Sequence, residues 1–267
     1  HEPQESATCP GIVTCLANGP DHRTVIAGDS SGRVTAFDLF AKAKRQEMIC
    51  DGWVNGIAYV PELGAVVSGD EGCSVIVWDF ASARRRMTVR CGSWVAAVAC
   101  ALEQRAVVAG DGDGRVTILD VESGAPRRQM AAEGSVTCLV YAPVIRAVVS
   151  GHLSSKVVVF DISTGTPLRV LMCSSTVTSL AYLADVEGVA SGDANGVLVV
   201  WELGCGSKRL EVRLGGGHDD GDSRTRDATA ATAALQDDPG VAAASSPRHR
   251  AADVVGGGGR AGLDGGG

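Results

Sequence analysis

Cys9, Cys50, Cys91 and Cys173, together with Asp29, Asp70, Asp111 and Asp193, are the residues of this chain that could act in concert. Thiolates at one shared position would hold a soft metal ion, and a ring of carboxylates would attract a cation or a basic partner. The cysteines contain no CxxC pair and have no neighbouring His, so small buried hydrophobes are the simpler reading. Each aspartate follows a Gly at the end of a strand-like run, with His152 taking the fifth place. An Asp there most simply accepts hydrogen bonds from the backbone of its own hairpin. DGDG at 111–114 has the opening acids of a calcium loop, but Arg115 stands where a third acid is needed and no Glu closes it. The chain has no phosphate-cradling Gly loop followed by Lys, no HExxH and no GxSxG, and only five histidines. No catalytic residue, metal or cofactor is expected, and the protein is not expected to be an enzyme.

The spacing of these residues is itself the stronger signal. Gly28, Gly69, Gly110, Gly151 and Gly192 stand 41 residues apart, and Phe37, Trp78, Leu119, Phe160 and Trp201 keep the same step. So do VTCLA at 13, VNGIA at 54, VAAVA at 95, VTCLV at 136 and VTSLA at 177. A fixed period of this size marks a repeat architecture. Each unit (11–51, 52–92, 93–133, 134–174 and 175–214, after a lead-in over 1–10) contains four short strand-like runs rich in Val and Ile. Ser31-Gly32, Asp113-Gly114 and Asn195-Gly196 mark a tight hairpin between the second and third runs. No helical period is present. One unit is therefore a four-stranded antiparallel meander, and stacking units around an axis buries both faces of each. The first run is rich in small residues and the third carries the large ones, as a wedge narrowing toward the axis requires.

The SGD-x-x-G-x-V-x-V-W-D core, repeated in register over residues 11 to 214, resembles the WD-repeat family of β-propellers. That resemblance implies a rigid propeller serving as a platform for other proteins, without catalysis of its own. Family members carry a His before the first strand that joins a buried network with a hairpin Asp, a Ser or Thr and the Trp. No unit here has that His, and the hairpin Asp survives only as Asp113, so the network is expected to be lost. Members usually have about seven blades, within a general range of about four to eight. Five are visible here, which leaves two alternatives: a closed five-blade ring, or part of a larger propeller in a longer chain, as the initial His1 suggests.

Residues 215–267 are rich in Gly, Ala, Asp and Arg, lack aromatics and break the step; a disordered tail is expected. A net charge of −7 argues against a nucleic-acid partner. No apolar run approaches the about 18 residues that span a bilayer. Nine cysteines, an odd number scattered through strands, fit a reducing, intracellular and cytoplasmic setting. Trp53 and Trp94 precede the first strand of adjacent units and are candidate contacts for a protein or peptide partner. Asp29, Asp70, Asp111, Asp193 and His152 are further candidates on that face. A basic rim recurs at the fourth strand: Lys42, Lys44 and Arg45; Arg84, Arg85 and Arg86; Arg127 and Arg128; Lys208 and Arg209. Its simplest role is edge protection; the alternative is a membrane- or trafficking-associated module that binds anionic surfaces. The favoured reading is a non-catalytic interaction scaffold that belongs to a larger chain or complex.

Overall fold

The computed structural model describes residues 9–21 and 23–214. The expected disordered tail lies outside the described residues. Twenty strands form five four-stranded antiparallel sheets, each made by one repeat. The first blade contains β1 (Val13–Asn18), β2 (Thr24–Asp29), β3 (Arg33–Asp38) and β4 (Ala43–Ile49). The second contains β5 (Val54–Val60), β6 (Ala65–Asp70), β7 (Ser74–Asp79) and β8 (Arg85–Arg90). The third contains β9 (Val95–Ala101), β10 (Ala106–Asp111), β11 (Arg115–Asp120) and β12 (Pro126–Ala131). The fourth contains β13 (Val136–Ala142), β14 (Ala147–His152), β15 (Lys156–Asp161) and β16 (Pro167–Met172). The fifth contains β17 (Val177–Leu183), β18 (Gly188–Asp193), β19 (Val197–Glu202) and β20 (Lys208–Arg213). Helical structure among the described residues is limited to single turns such as Pro61–Leu63 between the first two strands of a blade. This is an all-β fold with the blade design of a five-blade propeller.

The hairpin between the second and third strands turns through a left-handed residue in every blade. That residue is glycine in three blades, Gly32, Gly114 and Gly196, but Cys73 (φ 60°) and Ser155 (φ 61°) in the other two. The inner strands β1, β5, β9, β13 and β17 pack successively against one another. Asn55 Nδ2 donates to the Val95 carbonyl at 3.0 Å, and Thr14 Oγ1 donates to the Val54 carbonyl, so side chains stitch adjacent inner strands.

Four apolar seams hold the blades face to face. Ile26, Val34 and Met48 of the first blade pack with Val54, Ile57, Ile76 and Trp78 of the second, and the same columns fill the later seams. The recurring strand glycine is the socket of each seam. A Cβ on Gly28 would lie 2.7 Å from Val54 Cγ1, and one on Gly151 would lie 2.6 Å from Val177 Cγ1. Any larger residue would push the blades apart.

The first blade's leading face has no such cover. Val13 and Leu16 remain 46% and 53% exposed, whereas their equivalents Val54 and Ile57 are fully buried. Among the described residues, no packing comparable to the four seams joins β17 to β1.

Candidate functional site

The strand-end acids are structural clamps. Asp29 Oδ1 accepts the backbone N–H groups of Ser31 (2.9 Å) and Arg33 (3.0 Å). Asp111 does the same for Asp113 and Arg115, and Asp193 for Asn195 and Val197. The other oxygen reaches the loop entering the blade: Asp29 accepts from Gly11 N at 3.3 Å and Asp193 from Ser174 N at 3.1 Å. Asp29, Asp70, Asp111 and Asp193 are all buried. Burial raises the Asp70 carboxyl above its usual range. At Asp29 the opposing burial cost is outweighed by the hydrogen bonds from Ser31, Arg33 and Gly11, which hold it below that range. The reading of these acids as an exposed, partner-facing ring is therefore corrected: their oxygens are committed inward, which a tight hairpin with unpaired N–H groups requires.

His152 plays the same part in the fourth blade with different chemistry, and it too is buried rather than presented to a partner. Its Nδ1 lies 3.0 Å from the Gly134 carbonyl and its Nε2 2.8 Å from Ser150 Oγ. A carbonyl only accepts, so Nδ1 carries the proton and Nε2 accepts from the Ser150 hydroxyl. Burial lowers the imidazole pKa, in keeping with a neutral ring.

Part of the buried network expected to be lost survives in two blades, as a Trp–Ser pair with a cysteine beside it. Trp78 Nε1 donates to Ser68 Oγ at 2.8 Å, and Ser68 Oγ lies 3.3 Å from Cys50 Sγ. In the fifth blade Trp201 Nε1 donates to Ser191 Oγ at 2.8 Å, with Cys173 Sγ 3.7 Å away. A covariation in the sequence carries this signal. Ser68 and Ser191 accompany Trp78 and Trp201, and Ser150 accompanies His152. Ala27 and Ala109 stand at the same position where the aromatic column offers only Phe37 or Leu119, with no N–H to satisfy.

Burial drives the Cys50 thiol up to about 12 and Cys91 to about 11, and raises Cys9 and Cys173 as well. Protonated thiols are poor metal ligands and nucleophiles. Among the described residues no three His, Cys, Asp or Glu side chains cluster as a metal site would need.

Trp53 and Trp94 enter the adjacent inner strands β5 and β9 from the same side. Trp53 is 39% exposed, and its carbonyl accepts from Glu71 N at 2.9 Å. Trp94 is half-buried, and its carbonyl accepts from Gly112 N at 2.9 Å. A Cβ on Gly112 would collide with the Trp94 indole, so glycine lets that ring lie on the hairpin. Glu71 occupies the equivalent position in the second blade, where Trp53 is the more exposed of the two indoles.

Most of the basic rim is internally neutralised. Arg85 pairs with Asp51 at 2.9 Å, Arg86 with Asp79, and Arg127 with Asp120. Those partners and serine donors hold Asp79 and Asp120 far below the usual carboxylate range: Ser82 before Arg86 for Asp79, and the Ser123 backbone before Arg127 for Asp120. Among the described residues Arg84 and Arg128 carry no such pairing. Arg128 lines a groove of about 320 Å³ between β8 and β12, beside Arg90, Thr117 and Gln129.

No protein-family model matches this chain, and no curated protein matches it.

Proposed function

We propose that this protein is a non-catalytic scaffold similar to WD-repeat propellers, which binds a protein or peptide partner across the loops that enter its inner strands. The supporting observation is Trp53: a large aromatic residue left 39% exposed at the entry to β5, at the repeat position that Trp94 occupies on the neighbouring blade. Rigid aromatic anchors on a preformed surface dominate interface energies, because little is lost in ordering them. The hairpins beneath are fixed by buried Asp clamps, so the platform is stiff before a partner arrives. Free cysteines fit a reducing, cytoplasmic setting for this role. Among the described residues no helix is long and apolar enough to cross a membrane. The test is quantitative affinity capture with the Trp53→Ala/Trp94→Ala double variant beside the wild type. At least tenfold loss of specific partners, with an unchanged melting curve, is expected. Equal capture by both proteins removes this face from consideration.

A further inference from the structure

The outer strand of each blade is an edge, and edges normally carry charge against unwanted pairing. On the side of the strand that carries the alternate columns below, four of the five do. The column 45, 86, 127, 168 and 209 reads Arg, Arg, Arg, Leu, Arg; the column 47, 88, 129, 170 and 211 reads Glu, Thr, Gln, Val, Glu. The next column, 49, 90, 131, 172 and 213, reads Ile, Arg, Ala, Met, Arg. Only the fourth blade is apolar in all three. Leu168, Val170 and Met172 are 40%, 54% and 56% exposed on one side of β16. Leu171, on the other side, is buried in the seam with the fifth blade.

The backbone of this edge is also open. Among the described residues β16 pairs with β15 alone. Cys173 N donates to the Ser155 carbonyl, so the alternation of an antiparallel ladder turns the N–H and C=O groups of Val170 and Met172 away from β15.

We propose that β16 pairs antiparallel with β16 of a second copy of this chain about a twofold axis at Val170, forming an eight-stranded sheet. In that register Val170 faces its own copy and Leu168 faces Met172. All six side chains then lie on one side and form a continuous apolar strip. Arg169 faces Leu171, so no two like charges meet. The same operation on the other edges fails by charge: Glu47 and Glu211 would each face themselves, and Arg86 would face Arg90. In the third blade the centre would be Gln129, with Arg127 opposite Ala131, which offers no apolar strip. Self-complementarity thus singles out the fourth blade and selects a second copy as its occupant.

Sedimentation velocity on the full chain over a concentration series tests this, with Val170→Lys, Val170→Glu and their equimolar mixture. The wild type is expected to dimerise. Each variant alone is expected to remain monomeric, with association weakened at least tenfold, because like charges meet on the axis. The mixture is expected to recover a heterodimer by pairing Lys with Glu, which also shows that both variants fold. A wild type that stays monomeric at all concentrations overturns the proposal. So does a dimer that survives in both single variants, which would place self-association elsewhere, such as the uncovered face of the first blade, or a mixture that fails to re-associate.

Discussion

The second and fourth blades share strand order, hairpin length and the socket glycine, yet they close their hubs with different chemistry. In the second, Trp78 donates to Ser68, Cys50 lies against that serine, and Asp70 holds the hairpin. In the fourth, Phe160 offers no donor, and His152 occupies the aspartate position, joined to Ser150 and the Gly134 carbonyl. At the rim, the second blade's β8 is charged and paired, whereas one side of β16 presents Leu168, Val170 and Met172. The comparison shows that the apolar seams carry the fold. Polar closures can be exchanged among Cys, Asp and His provided that every buried donor keeps an acceptor.

Replacing the closure in the fourth blade is expected to have the largest effect on stability. His152→Ala removes a fully buried ring and two hydrogen bonds, at a cost of about 2–4 kcal/mol by urea unfolding. The same residue sets a pH dependence. Its folded-state pKa is lowered, so the unfolded chain binds the proton more readily; stability falls as pH drops below the unfolded value of about 6.5. The stability difference between pH 7.5 and pH 5.5 should therefore shrink in His152→Gln. An unchanged difference would mean that His152 accepts a proton without cost, contrary to its burial.

An intermediate effect is expected in the second blade. Ser68→Ala leaves the Trp78 N–H without its acceptor and should cost about 1–3 kcal/mol. The reverse change in the third blade, Ala109→Ser, adds a hydroxyl where Leu119 offers no partner and should not stabilise. Matched thermal melts decide this; a stabilising Ala109→Ser would break the account of the serine–tryptophan pairing. The smallest effects concern the hairpins. Ser155→Gly relieves a left-handed serine and should stabilise by about 1 kcal/mol or less, while Gly114→Ala should destabilise, because a Cβ there meets the carbonyls of Ala132 and Gly134. Equal melting temperatures for those two variants would show that the turn residue does not matter.

The 41-residue step marked out the five units, their four-strand make-up and the hairpin positions, because one repeat must satisfy the same period-two pattern and the same left-handed turn each time. The serine–tryptophan pairing was missed, because the absent His pointed to a lost network, although Ser and Trp columns ten residues apart vary together. The strand-end acids were legible as acceptors for their own hairpins, but only the fold shows that their second oxygens also meet backbone N–H groups of the entering loop about 18 residues away. The cysteine column is a similar case: that Cys50 ends beside Ser68 depends on the loop before β5 folding back over its own hairpin. Tertiary structure alone decided which apolar residues are covered. Val13 and Val54 occupy the same repeat position, and one is half exposed while the other is sealed, because burial of a blade's face is a property of its neighbour and not of its own residues.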